Sequence, residues 1–317
     1  MMKTFISSQE KFDIDKEYVS CLILLSSYNG EKYIEDQIQS IFNQKGVIVN
    51  ILVRDDGSKD NTLPVLKAIS AQHPDALSII EGNNVGIHNS FAELIQLAPA
   101  GYDYYAFSDQ DDIWDTDKIF SAIKVLKKYN VPFYCGCARL VDSVRTPLNI
   151  TTSSPETFKY YMSTSHKVMT PGVQGCTMVL KNDFFAEIRK NYPREYGHDT
   201  WIPIIASYFY GCVYDEVPRM SYRQHDASWT GNRGKKFTQL KVDIRYYFKG
   251  LSRYTRLAQD LLARYKCNLN MYDLGYLSGL ANKGSFAGRI KLLNRYRYSK
   301  DTILKTLIFW GYYLFGR

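Results

Sequence analysis

No stretch of the 317 residues approaches the roughly 20 consecutive apolar residues that a membrane-spanning helix requires. The first 18 residues carry Glu10, Asp13, Asp15 and Glu17, so a secretory leader is not expected and the chain should stay on the cytoplasmic side. Cysteine is sparse. Cys21, Cys135, Cys137, Cys176, Cys212 and Cys267 include no C-x-x-C pair with a matching second pair, which points to buried reduced thiols. Cys135 and Cys137 alternate along an expected strand, but two thiols without partners make a poor zinc site. There is no G-x-S-x-G, no G-x-x-x-x-G-K-[ST], no H-E-x-x-H and no G-x-G-x-x-G. Serine hydrolases, P-loop enzymes and ordinary dehydrogenases are thereby excluded.

With 45% apolar and 23% charged residues, the chain can bury a sizeable core in one large or two smaller units. The net charge of +8 is unevenly placed. Residues 235–317 hold 17 Lys and Arg against 4 Asp and Glu, whereas residues 1–234 hold 23 against 28. The acidic first region suits a cation and its ligand; the basic second region suits an anionic surface.

Apolar runs at 19–25, 47–53, 77–80 and 102–107 are each followed by a segment of helical period, through Ile34, Ile38 and Ile41, then Leu63, Leu66 and Ile69, then Phe91, Leu94 and Ile95, then Ile119, Ile123 and Leu126. The expected strand ends recur about every 27 residues, as βα units of a parallel sheet do. This predicts an α/β fold: a Rossmann-like, mostly parallel sheet with flanking helices. Further strands are expected near 132–140, 176–180 and 211–217, a helix near 200–209 and a loop-rich stretch over 142–170. From 235 the chain reads as helical, with breaks near Gly275 to Gly279 and at Asn282 to Ser285. The division expected is 1–18 extension, 19–234 catalytic domain and 235–317 helical tail.

In an open α/β sheet, ligands bind beyond the carboxyl ends of the strands. The segments there are Ser26-Ser27-Tyr28-Asn29-Gly30, Asp55-Asp56-Gly57-Ser58, Asn84-Val85-Gly86 and Asp109-Gln110-Asp111-Asp112. Three carboxylates in one turn repel one another, and a hard divalent cation, Mg²⁺ or Mn²⁺, relieves this. The bland alternative is a solvated turn with Asp112 or Asp115 capping the next helix. Asp56 suits hydrogen bonding to a nucleobase or ribose, or merely belongs to a plain turn. Asp199 is either a helix cap or a general base, and His225 either structural or a further metal ligand.

Taken in order with His198-Asp199 and Gln224-His225, these segments resemble the inverting family 2 glycosyltransferases of the GT-A fold. The runs Ser108-Asp109-Gln110-Asp111-Asp112-Ile113-Trp114 and Tyr222-Arg223-Gln224-His225 look most like bacterial rhamnosyltransferases of cell-wall and surface polysaccharide assembly. The resemblance implies a dTDP-L-rhamnose donor, a UDP-hexose being the alternative, and a saccharide acceptor that is lipid-linked. By matching position it places Asp56 at the nucleobase with Tyr28 nearby, Asn84 and Gly86 on the same donor rim, and Asp109 by the ribose or sugar. Asp111 and His225 would hold the metal, Asp199 would be the base, and Trp201 with His198 would shape the acceptor pocket. A nucleotidyltransferase is disfavoured because Tyr28-Asn29-Gly30-Glu31 stands where a basic Gly-rich loop belongs. A non-catalytic binder of the same fold has no use for Asp199.

The tail holds 16 aromatics, Phe309, Trp310 and Tyr313 among them. Its last apolar stretch, 303–316, is too short to span a bilayer and contains Lys305, so it is expected to lie at the inner membrane surface. A cap on the catalytic domain or a homodimer contact is the alternative. No RNA-recognition signature accompanies the charge, so nucleic acid is not an expected partner.

Overall fold

Strand β1 (Ser20–Ser27) sits mid-sheet because both of its faces are apolar. Cys21, Ile23 and Leu25 enter one core cluster, and Leu22 and Leu24 enter the other. Each such leucine is at most 2% exposed and contributes about 1.5–3 kcal/mol by leaving water. The computed structural model describes residues 18–152, 173–225, 240–282, 284–296 and 303–315. Residues 1–17, residues 153–172, which take in 153–170 of the expected loop-rich stretch, and the basic segment at 226–239 lie outside the described residues.

The other strands are β2 (Ile48–Asp55), β3 (Leu77–Glu81), β4 (Tyr104–Ser108), β5 (Ile113–Trp114), β6 (Phe133–Gly136), β7 (Arg139–Val141), β8 (Pro147–Thr151), β9 (Val179–Lys181), β10 (Cys212–Asp215) and β11 (Met220–Arg223). The main sheet runs β10-β6-β9-β4-β1-β2-β3, and β9 alone runs against its neighbours. Helices α1 (Ile34–Phe42), α2 (Thr62–Gln72) and α4 (Lys118–Tyr129) cover one face through Ile38, Leu66 and Ile123. Helices α3 (Ile87–Leu97), α5 (Asn182–Asn191) and α6 (His198–Ile205) cover the other through Phe91, Phe184 and Trp201.

The parallel register places the functional loops on one rim. Ser27 pairs with Asp55, Leu25 with Ser108, and Asp55 with Glu81, so the four strand ends lie side by side. A second sheet, β5-β11-β7-β8, stands at that rim. There β11 pairs antiparallel with β5, Met220 opposite Trp114 and Ser221 opposite Ile113. Continuing this register backwards along one strand and forwards along the other carries residues 223–225 towards 111.

Several local expectations are corrected. The run at 132–140 is two strands, β6 and β7, which belong to different sheets. The helix expected at 200–209 is α6, which contains Pro203, followed by a π turn over Ala206–Tyr210 in which the Gly211 N–H reaches the Ala206 carbonyl at 2.8 Å. The stretch at 142–170 includes β8, an exposed strand whose pairing with β7 is irregular.

Helices α7 (Leu240–Tyr265), α8 (Met271–Ala281), α9 (Phe286–Tyr296) and α10 (Ile303–Phe315) follow. The break expected at Gly275 to Gly279 falls earlier, at 266–270, where the Asn270 side chain accepts the Asp273 N–H at 2.9 Å and starts α8. Gly279 lies inside α8, where its carbonyl accepts the Tyr313 hydroxyl at 2.6 Å. Leu261, Leu277, Phe309 and Tyr313 share one apolar cluster with Trp201 and Phe184. One face of α10 is therefore already buried in the protein. Among the described residues no helix is long and apolar enough to cross a membrane.

Candidate active site

The four loops are stitched together by their own polar side chains. Gln110 clamps Tyr28 by accepting its N–H at 2.8 Å and donating Nε2 to its carbonyl at 3.0 Å. A Cβ at Gly30 would collide with Gln110 Oε1, so a side chain there would displace the clamp. Asp55 serves the turn, accepting the Ser58 N–H at 3.0 Å and the Ser58 hydroxyl at 2.5 Å. Asp56 receives Arg54 Nη1 at 2.5 Å and the N–H groups of Val85 and Gly86, each at 2.9 Å. The loops surround a cleft of ≈ 610 Å³ lined by Tyr28, Asp56, Asn84, Gly86, Asp109, Asp111 and His225, among others.

Within the acidic turn the three carboxylates have separate surroundings. Burial, then the charges of Asp111 and Asp199, push the Asp109 carboxyl up to about 7. Asp112 is fully buried, and burial followed by its acidic neighbours holds it well above the ordinary carboxylate range. It does not cap the next helix: residue 117 stands at the start of α4. Burial also pushes the Cys176 thiol up and lowers Lys118 to about 8, with the Lys118 ammonium 3.3 Å from the centre of the Trp114 ring.

Asp109, Asp112 and Cys176 place one donor atom each within 4.8 Å of one another. Asp112 and Cys176 are nevertheless buried behind the cleft rather than among its lining residues, beside the Lys118 ammonium, out of reach of a ligand held in the cleft. The better-suited pair is Asp111 and His225, whose Oδ2 and Nε2 lie 2.8 Å apart on the cleft wall. Adjacent ligands of an octahedral ion at about 2.1 Å are separated by about 3 Å; the carboxylate suits Mg²⁺ or Mn²⁺, and the imidazole is better tolerated by the softer Mn²⁺ than by Mg²⁺. The His225 ring stacks on Tyr33, with centroids 4.8 Å apart, and the Arg223 guanidinium lies 4.6 Å from the centre of the same Tyr33 ring. Arg223 itself donates Nε to the Asp111 carbonyl at 2.9 Å.

Asp199 occupies the first turn of α6, half-buried, close enough to Asp109 for its charge to act there. Its Oδ1 crowds Gly197, where a Cβ would stand 2.5 Å away, with His88 Nδ1 at 2.8 Å from the same point. The two neighbours expected at the acceptor pocket are both buried. His198 packs against Phe91 and Phe107 at centroid distances of 3.9 and 4.8 Å, and burial lowers it to about 4. Trp201 is 0% exposed and stacks on Tyr196. Helical geometry explains the placement, since 198, 201 and 202 share the inward face and 199 does not.

Residues 22–188 match the family model for glycosyl transferase family 2. The chain belongs to that family. Its similarity to the dTDP-rhamnosyl transferase RfbG of Shigella flexneri is 33% identity over 219 residues, 65% of this chain and 73% of that one. It is 23% identical to the putative teichuronic acid biosynthesis glycosyltransferase TuaG of Bacillus subtilis over 249 residues, 76% of this chain and 96% of that one. Among solved structures, TarS of S. aureus in complex with UDP-GlcNAc superposes with a TM-score of 0.55 at 14% identity, covering 88% of this chain and 90% of that one. The mannosyltransferase PcManGT of Pyrobaculum calidifontis, in complex with GDP-Man and Mn²⁺, gives 0.55 at 14% identity, covering 95% and 89%. At that identity the two structures bear on the fold, which is GT-A.

As a family 2 glycosyltransferase, the protein transfers a sugar from a nucleotide-sugar donor. Sequence reasoning overlooked Arg54, Gln110, Tyr33 and Arg223, which hold the site residues in place. A positive charge directly after the apolar run Ile51-Leu52-Val53 is the available signal for Arg54; the Tyr33 stack depends on a contact across nearly 200 positions and has none.

Proposed function

We propose that the chain transfers L-rhamnose from dTDP-L-rhamnose to a saccharide hydroxyl of a lipid-linked polysaccharide precursor, with inversion at the anomeric carbon. The observation that carries this reading is the meeting of Tyr28, Asp56, Asp109, Asp111 and His225 in one cleft, in a chain 33% identical to a dTDP-rhamnosyl transferase. Asp56 and Tyr28 receive the nucleobase, Asn84 and Gly86 form the rim beside it, and Asp109 faces the ribose or sugar. Asp111 and His225 would hold Mg²⁺ or Mn²⁺, which neutralises charge on the departing diphosphate when bound. Asp199 takes the proton of the attacking hydroxyl. With the base on one side of the anomeric carbon and the diphosphate on the other, one in-line displacement inverts the configuration and needs no covalent sugar intermediate.

A panel of dTDP- and UDP-sugars incubated with the protein, Mn²⁺ and a membrane-lipid acceptor fraction tests the donor. Release of dTDP from dTDP-L-rhamnose is expected to exceed that from every other donor. Preferential release of UDP from a UDP-hexose would replace the rhamnosyl reading with the alternative donor while keeping the family reaction.

The acceptor reading places the enzyme peripherally at the cytoplasmic face of the membrane. Its support is the outer surface of the last helices, where Phe286, Leu307 and Phe315 are 49%, 58% and 72% exposed in a strongly basic region. Because Phe309 and Tyr313 are core residues, point changes probe this surface better than truncation. Leu307→Glu with Phe315→Glu is expected to release the protein from anionic vesicles in flotation while sparing donor hydrolysis. Unchanged flotation would count against membrane association, and a change in oligomeric state instead would assign the surface to a homodimer.

A further inference from the structure

We propose that Arg54 selects the nucleobase indirectly: it occupies one oxygen of Asp56 and leaves a single acceptor for a base presenting one ring N–H, uracil or thymine. This rests on Asp56 reading the base. Arg54 is the penultimate residue of β2 and is 1% exposed. Its guanidinium donates Nη1 to Asp56 Oδ1 at 2.5 Å, Nε to Glu93 Oε2 at 2.6 Å and Nη2 to the Asn83 carbonyl at 3.1 Å. Nη1 also lies 3.3 Å from Ser90 Oγ, which in turn lies 2.6 Å from Ser26 Oγ on the cleft wall. One side chain thus joins β2, the 82–86 loop and α3.

A carboxylate offers about four acceptor directions. Oδ1 of Asp56 is saturated by Arg54 and the Val85 N–H, and Oδ2 takes the Gly86 N–H, so one direction on Oδ2 is left for the cleft. Thymine and uracil need one acceptor, because each presents one imide N–H between two carbonyls. Guanine presents a ring N–H and an amino N–H side by side, and a carboxylate receives that pair with both oxygens. Cytosine places a ring nitrogen lone pair where a proton is wanted, which repels the carboxylate oxygen. The arrangement has little slack: a Cβ at Gly82 would stand 2.5 Å from Arg54 Nη2.

Equilibrium titration of the full chain with dTDP, UDP, GDP and CDP, each with Mn²⁺, tests the proposal. The pyrimidine imides dTDP and UDP are expected to bind at least about tenfold tighter than GDP or CDP, the cost of one buried polar group losing its partner. Arg54→Lys keeps the charge but not the fork, and is expected to cut discrimination against GDP about tenfold and raise donor KM with kcat little changed. Gly82→Ala displaces the guanidinium without removing it and is expected to act in the same direction, which covers the case of a poorly folding Arg54 variant. A wild-type preference for GDP, or wild-type ranking retained in either folded variant, overturns the proposal. Asp56→Asn separates the two layers. If it leaves dTDP and UDP binding unchanged, the base-reading role of Asp56 fails; if it weakens them while the Arg54 and Gly82 variants keep the ranking, only the role of Arg54 fails.

Discussion

Replacing Asp199 by Asn is expected to lower transfer by about 10²–10⁴-fold, the range that positioned proton transfer contributes, with donor affinity nearly unchanged. The substitution is close to isosteric, and Asp199 lies beside Gly197, His88 and Thr200, reaching Asp109 only through its charge. The amide cannot accept the hydroxyl proton, so the effect belongs in kcat. Steady-state transfer and a separate titration with dTDP and Mn²⁺ give the two halves of the result. Full turnover by the variant would show that another group removes the proton.

Asp111→Asn is expected to have the opposite signature, weakening metal-assisted donor binding. The loss should exceed the about 10–100-fold that removal of an outer-shell partner costs a metal site. His225→Ala should act in the same direction, because its Nε2 lies 2.8 Å from Asp111 Oδ2. The double variant should lose less than the two single effects combined, since either change already breaks the pair. Isothermal titration of dTDP with and without Mn²⁺ measures this directly. If metal-dependent and metal-independent affinities remain in their wild-type ratio, the ligand assignment fails.

The α/β framework was legible because its signals are local. Leu22 to Leu25 are apolar on both faces of a strand, and Ile34, Ile38 and Ile41 recur at helical spacing, so the first four βα units and their polar ends followed from pattern alone. The reversed strand β9 left no trace, since Val179 and Leu180 are equally apolar in either direction. Nor does the mostly apolar run at 132–140 reveal that β6 and β7 enter different sheets.

For the site, the contrast lies between placement and support. Asp56, Asp109, Asp111 and His225 line one cleft although Asp111 and His225 are 114 positions apart, joined by the β5 and β11 pairing. The side chains that steady them, Arg54, Tyr33 and Arg223, act through contacts that no spacing rule reports. The resemblance implies His198 and Trp201 at the acceptor pocket, yet both fall on the face of α6 that recurs at i, i+3 and i+4 and packs into the core, while Asp199 falls outside it.

Crystals grown with Mn²⁺ and dTDP, measured for anomalous scattering, bear most directly on the claim that Asp111 and His225 gather the diphosphate around one ion. The account predicts one strong peak in contact with Asp111 Oδ2, His225 Nε2 and the dTDP phosphates, with thymine beside Asp56. A peak at Asp112 and Cys176, or dTDP bound with no ion near Asp111, would contradict it.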